Sequence, residues 1–244
     1  MTLASLGSGL LRVSVEERGL SIAARLDDSP VLASSPVERL GTIDLLTEST
    51  ASQTHTLHLR NEDSPRVNGE VCVNFGLLPR GEKARRQAET AFARAGAATH
   101  GTMWSSAFTE YLTAARLFDA ARLPRQAALA RQALAELAYR RFDHKRDSYA
   151  LASAALQGFG TRNPVYAGAL SALQAKALMD MPGGDLTQLA PEIRQRLGAA
   201  RDYYRKSAYA SRELARVDIV TGTLDYQLNL PDLAISIWTD GAQR

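Results

Sequence analysis

The feature that most constrains this chain is a change in hydrophobic period near Pro79. Before it, apolar and polar residues alternate in short runs such as 10–16, a pattern typical of β-strands with one buried face. After it, apolar residues in Ala-rich and Arg-rich sequence recur three and four positions apart, the period of an amphipathic helix. The sequence therefore predicts an α+β protein in two segments: a small β-sandwich or jelly roll over residues 1–79, and an α-helical hairpin domain over residues 80–244.

Five or six short strands are expected in the first segment, because apolar residues alternate there between turn signals. They cover residues 10–16, 20–26, 31–33, 41–46, 54–60 and 70–75. The Asp-Asp-Ser-Pro sequence at 27–30 predicts a reversal, since short polar side chains and a fixed proline φ favour turns. Asn68-Gly69 predicts a hairpin, since both residues tolerate positive φ.

Eight helices are expected in the second segment. They cover residues 82–98, 103–121, 124–142, 148–157, 164–179, 191–206, 209–221 and 231–238. Four prolines are each predicted to lie in the first turn of a helix, because a backbone amide makes no intrahelical hydrogen bond there and proline has none to lose. They are Pro124, Pro164, Pro191 and Pro231. Most of the joints between these helices are short, which favours antiparallel hairpins.

A weak internal repeat indicates how the hairpins are arranged. Pro124 and Pro164 lie 40 residues apart, as do Ala115 and Ala155. Repeats of this size usually stack into a curved solenoid with a concave binding face, as tetratricopeptide-like repeats do. A non-repetitive helical bundle is the alternative.

The two segments carry opposite net charge. Residues 1–79 carry a net charge of −4 and residues 80–244 a net charge of +7. The basic segment favours an acidic partner, although a solvated Arg-rich helix surface gives the same composition. Basic residues do not cluster with stacking aromatics, so we do not expect a nucleic-acid partner. No apolar run approaches the roughly 20 residues that span a bilayer, and a cytoplasmic location is slightly favoured over an exported parent protein.

The histidines and the cysteine do not form a catalytic or metal-binding pattern. His55 and His58 lie three apart in a predicted strand and therefore point to opposite faces, where we expect exposed or edge side chains. His100 is predicted to end a helix, and His144 lies in a turn. Cys72 is the single cysteine, shares a strand face with Glu70 and Asn74, and has no evident base to activate it. We predict no catalytic residue, cofactor or metal in this chain.

Other polar and aromatic groups are predicted to have structural roles. The glycines at 183 and 184 lack the Lys-Ser/Thr of a phosphate-binding loop. Acidic residues of the late helices lie among arginines and are expected in surface ion pairs: Asp202, Glu213, Asp218 and Asp225. Aromatic residues at helical spacing are expected in the core: Trp104, Phe108, Tyr111 and Phe118.

One basic turn is a candidate partner surface. Arg140, Arg141, Lys145 and Arg146 cluster between two predicted helices. Such a cluster suits a phosphate group or an acidic peptide, and a hydrated loop is the alternative.

The stretch of residues 10–26 resembles a known β-domain. Its apolar and Gly positions, and the passage from Leu77-Leu78-Pro79-Arg80 into an Ala-rich helix, resemble the N-terminal region of certain bacterial multidomain proteins. In those proteins a prepeptidase-C-terminal-like β-domain precedes tetratricopeptide-like repeats and a CHAT domain, which has a caspase-like cysteine peptidase fold. The resemblance implies a sensor or regulatory arm whose catalytic His and Cys would lie beyond residue 244.

Three functions remain open at this point. The first is a non-catalytic protein–protein interaction or scaffold module that binds a protein or peptide on its helical surface. The second is part of a cysteine peptidase, in which case the chain is a fragment of a longer protein; the run at 233–238 looks like a helix without its hairpin partner. The third, ranked lowest, is a carbohydrate-binding β-module, because residues 1–79 contain neither Trp nor Tyr to serve as sugar platforms.

Overall fold

The structure is a computed structural model of residues 1–244, and it describes all residues except 5, 38, 64–68, 80–81, 161–162, 208–209 and 243–244. The chain divides into two compact units, Met1–Leu137 and Ala138–Arg244. The first unit contains the β-strands together with the first helices, whereas the second is helical.

The described residues of the first unit form seven strands in two antiparallel sheets. The strands are Thr2–Leu3 (β1), Gly9–Arg18 (β2), Ile22–Leu26 (β3), Ala33–Ser34 (β4), Thr42–Ser49 (β5), His55–Asn61 (β6) and Glu70–Leu77 (β7). One sheet has the order β1-β6-β3-β4 and the other β5-β2-β7. Successive strands therefore often lie in different sheets, so β6 and β7 do not form a hairpin with each other. Asn68, half of the predicted hairpin signal, lies outside the described residues.

The alternating side chains of the two sheets share one apolar core. In β2, Leu11, Val13 and Val15 are buried while the residues between them are partly exposed. They pack in a single cluster with Ile22 of β3 and Leu57 of β6. The hydrophobic effect on these alternate positions fixes the register, because a slip of one residue would turn the buried set to solvent.

The described residues form eight helices, as expected from the number of periodic segments. They are Lys83–His100 (α1), Trp104–Ala120 (α2), Pro124–Arg140 (α3), Lys145–Phe159 (α4), Pro164–Met179 (α5), Leu186–Tyr204 (α6), Ser211–Gln227 (α7) and Pro231–Ala242 (α8). The α+β organisation in two segments is thereby confirmed. In the second unit, neighbouring helices from α4 to α8 pack on one another in chain order.

One local prediction was wrong, and one short strand was missed. Pro191 does not lie in a first turn: α6 begins earlier, at Leu186, because Asp185 caps it by accepting hydrogen bonds from the amides of Thr187 and Gln188. A short polar side chain at this position satisfies amides that the helix itself leaves unpaired. The two-residue strand β1 was not predicted, because its pairing with β6 has no periodic signal in so short a segment.

Aromatic packing links α1 and α2. Tyr111 and Phe118 are buried and meet Phe92 of α1 edge to face, with ring centroids 5.2 and 6.2 Å away. Trp104 and Phe108 are only partly buried. The predicted core role is therefore confirmed for the two residues whose rings lie between the helices.

Gly222 gives a prediction about the α7–α8 contact. A Cβ at this position would lie 2.4 Å from Nε1 of Trp238, so Gly222→Ala should push the indole away and destabilise the hairpin by about 1–3 kcal/mol. Tryptophan fluorescence during urea unfolding would measure the change. Gly198→Ala in α6 is the matched control, because no atom lies within 4 Å of its Cβ position; it should stabilise the protein by about 0.5–1 kcal/mol. Equal effects of the two substitutions would contradict the packing described here.

Candidate functional site

The predicted basic turn joins the end of α3 to the start of α4. The side chains of Arg140, Arg141 and Arg146 are exposed there. Lys145 differs, since it is mostly buried: its Nζ donates to the carbonyl of Tyr139 at 3.0 Å and lies 3.9 Å from the centre of the Tyr139 ring. The turn thus presents three arginines to solvent, while the lysine stabilises the turn itself.

An apolar patch lies on the α7–α8 hairpin. Ile219 and Tyr226 on α7 are 55% and 61% exposed, and Ile235 on α8 is 58% exposed. Trp238 lies between them: its Nε1 donates to the carbonyl of Ile219 at 3.2 Å, and its ring centre is 6.1 Å from that of Tyr226. Ile235 precedes Trp238 by one helical turn and so lies on the same side of α8. We call these four residues the apolar patch.

Ion pairs between buried aspartates of α7 and partly exposed arginines of α6 hold the two helices together. Asp218 and Asp225 are buried, which corrects the prediction of surface carboxylates at these two positions. Arg201 donates to Asp218 at 2.6 Å, and Arg194 donates to Asp225 at 2.7 Å. Asp218 and Asp225 directly precede Ile219 and Tyr226 in the sequence, so their side chains point about 100° away around α7. The ion pairs to α6 therefore fix the rotation of α7 and with it the direction of its two patch residues.

A charged cluster is buried between β2, β5 and α1 in the first unit. Arg12 donates to Asp44 through both Nε and Nη2, at 3.1 and 2.7 Å, and its Nε lies 3.0 Å from Glu89 of α1. Asp44 and Glu89 are 2% and 0% exposed. Burial raises the pKa of Glu89 to about 8, and the adjacent Asp44 carboxylate adds to this rise while Arg12 opposes it. Glu89 therefore holds its proton at neutral pH and can donate it to Asp44.

Glu17 is a second buried carboxyl group in the same unit. It accepts hydrogen bonds from the amides of Ile22 at 2.7 Å and Gly41 at 3.1 Å, which join β2 to the first residue of β3 and to the residue before β5. Burial raises the pKa of Glu17 to about 8, although both amide donors oppose the rise. Its role is structural, since both carboxyl oxygens bind backbone groups.

The histidines behave differently from one another. His55 is buried, not exposed or at an edge as predicted, because its Nδ1 lies 2.8 Å from the Asp27 carboxylate. Asp27 also accepts from the amide of Thr56 and adopts a positive φ of 51°, which short polar side chains tolerate. His58 is exposed on the other face of β6. The contact between His55 and Asp27 ties the turn after β3 to β6.

Cys72 lies on β7, as predicted, on the same face as Asn74, whose Nδ2 is 3.7 Å from its Sγ. Among the described residues, no three His, Cys, Asp or Glu side chains come together to hold a metal ion. None of the described helices is long and apolar enough to cross a bilayer.

Sequence reasoning missed the buried charges and the apolar patch for different reasons. Arg12 and Asp44 occupy polar positions of alternating strands, and such positions read as solvent-facing unless a helix covers them. For the patch a signal existed, since Ile219 and Tyr226 lie seven apart on α7, but the same spacing predicts a core face equally well.

Comparison of the chain with known protein families, curated proteins and solved structures finds no match.

Proposed function

We propose that this chain is a non-catalytic protein–protein interaction module that holds a protein partner on its helical surface. The observation that carries the proposal is the apolar patch, in which Ile219, Tyr226 and Ile235 are each more than half exposed. Aromatic and aliphatic groups concentrated on one rigid face are the kind of anchors that dominate binding energy at protein interfaces. Isolated exposed apolar residues would not support this proposal, but these are contiguous around Trp238.

Packing of the helices in chain order supports the narrower proposal of a solenoid-like scaffold. In such an arrangement successive hairpins present side chains along one surface, so affinity comes from several shallow contacts. The exposed Arg140, Arg141 and Arg146 are proposed as a second contact, suited to acidic groups of the partner. The resemblance of residues 10–26 to CHAT-type proteins supports a role as the regulatory arm of a larger protein.

Ile235→Asp tests the proposed apolar contact. It places a charge in the patch, and we expect it to reduce recovery of the bound partner at least about tenfold in affinity purification from the cells that make the protein. Ser236→Asp is the matched control, because Ser236 is exposed on α8 but points about 100° away. Both variants should unfold at the same temperature as the parent chain. Equal recovery with both variants would refute the apolar contact.

A further inference from the structure

Strand β5 is one of the two edge strands of the sheet β5-β2-β7. In its antiparallel pairing with β2, Leu46 lies opposite Arg12 and Glu48 opposite Leu10. The amide of Glu17 donates to Gly41 across this pair, whereas the carbonyl of Leu10 accepts from Leu78 on the β7 side. Since hydrogen-bonded positions alternate in antiparallel pairs, the peptide groups of residues 44, 46 and 48 point away from β2. These groups make no backbone hydrogen bond to another described residue.

A groove runs beside this edge, between β5 and α1. Its inner part is a cavity of about 410 Å³ lined by Leu46 and Thr47 of β5, Val31, and Ala93 and Ala97 of α1. Val31 is 53% exposed, so the groove offers apolar surface that the chain itself leaves uncovered. All of these residues belong to the first unit.

The outer part of the groove has a basic wall. A second cavity, of about 910 Å³, shares Leu10, Thr90 and Arg94 with the first and is lined by Lys83 and Arg86 of α1. The spacing 83, 86, 90 and 94 places these side chains on one face of the helix. We call the two cavities together the β5–α1 groove.

The acidic groups near this wall leave room for another anion. Arg86 is 3.5 Å from Glu48, which is 75% exposed, and Arg94 is paired with Glu110 at 3.0 Å. Lys83 has no ion pair with a described residue. An exposed pair as long as that of Arg86 and Glu48 contributes little stability, so an incoming carboxylate can replace Glu48 with little loss.

We propose that the β5–α1 groove binds an extended acidic peptide segment of a partner protein, which adds a strand to the free edge of β5. Peptide groups of residues 46 and 48 span about 7 Å along the strand and supply the backbone hydrogen bonds of strand addition, whereas Asp44 is buried and lies beyond the accessible part of the edge. Apolar side chains of the peptide pack on Val31 and Leu46, while its acidic side chains pair with Lys83 and Arg86. This site is separate from the apolar patch and does not depend on it.

A model peptide tests the site in the full chain. The probe is a fluorescein-labelled heptapeptide of alternating valine and threonine with two glutamates at its amino end. Fluorescence anisotropy should show binding that weakens about tenfold when both glutamates become lysines, since attraction to the basic wall turns into repulsion. Two further peptides carry methyl groups on every second backbone nitrogen, one at the odd positions and the other at the even positions. Only one of them should lose binding, because only one lacks the N–H donors that face β5.

Variants of the chain provide the matched comparison. Leu46→Pro removes an amide hydrogen at the free edge of β5 without removing one from its ladder with β2, and it should abolish binding. Phe75→Pro is the control, since Phe75 lies opposite Val13 and its amide faces the free edge of β7 by the same alternation; it should bind normally. Should Leu46→Pro fail to fold by circular dichroism, Arg86→Glu on the surface of α1 supplies the test and should weaken binding about fivefold.

Several outcomes would overturn the proposal. They are equal affinity for the glutamate and lysine peptides, equal loss with Leu46→Pro and Phe75→Pro, or no binding at millimolar peptide. Dimerisation of the parent chain that Leu46→Pro abolishes, seen by analytical ultracentrifugation, would place a second copy in the groove instead. Ile235→Asp should leave peptide binding unchanged, so failure of this site and failure of the apolar patch are distinguishable.

Discussion

Arg12→Ala should lower the free energy of unfolding by about 3–5 kcal/mol, because it leaves the buried carboxylate of Asp44 without its cation. Arg12 is the group that donates to Asp44 through two nitrogens and lies 3.0 Å from Glu89. Asp44 and Glu89 are almost fully buried, so an unpaired charge among them is costly. Urea unfolding followed by circular dichroism measures the loss.

Arg60→Ala is the control for this experiment. Arg60 also pairs with a carboxylate, that of Glu62 at 2.9 Å, but its side chain is 58% exposed. Loss of an exposed pair should cost no more than about 1 kcal/mol. Similar losses for the two substitutions would show that the buried cluster is open to water, contrary to the structure.

The second large effect is a fall in stability as pH rises from about 4.5 to about 8. Glu17 and Glu89 each have a pKa raised to about 8 in the folded chain, whereas the unfolded chain has ordinary glutamates near 4.5. Between these values the folded chain binds more protons than the unfolded chain, so the free energy of unfolding decreases with pH. The slope should be about 1.4 kcal/mol per pH unit for each group, and it should vanish above the folded pKa.

Glutamine substitutions separate the two groups. Glu89→Gln imitates the protonated acid, because its amide can donate to Asp44, and it should remove about half of the pH dependence with little loss at pH 5. Glu17→Gln should destabilise at every pH, since the amide nitrogen cannot accept from Ile22 or Gly41. Urea unfolding at pH 5, 6.5 and 8 measures both effects. A free energy of unfolding that rises over this range in the parent chain would contradict the protonation assigned here.

The hydrophobic periods determine how much of this fold the sequence could predict. Alternation in β2 and helical spacing in α1–α8 both follow from burying one side of an element, so the number and type of most elements are predictable. Which element covers the polar face of a strand or helix could not be predicted. Arg12, Asp44 and Glu89 read as surface charges until α1 covers the sheet, and Pro191 reads as a helix start until Asp185 supplies an earlier cap.

The candidate surfaces show the same division. The charge of the basic turn could be predicted from four clustered residues, but the burial of Lys145 against Tyr139 depends on how the turn closes. The exposure of Ile219 and Ile235 could not be predicted, because an apolar helix position becomes a binding surface only when no other element covers it. The unpaired peptide groups of β5 could not be predicted either. They depend on the order of strands in the sheet, which is decided by pairing between distant parts of the chain.

Photo-crosslinking from the apolar patch tests the proposed interaction function most directly. p-Benzoylphenylalanine would replace Ile235 in one sample and Asp240, an exposed residue on another side of α8, in a second. Irradiation in the cells that make the protein should give a crosslinked protein partner from position 235 and none from position 240, and Tyr226→Asp should abolish the crosslink. Equal crosslinking from both positions, or none from either, would contradict the proposal that this face of the helical unit holds a partner.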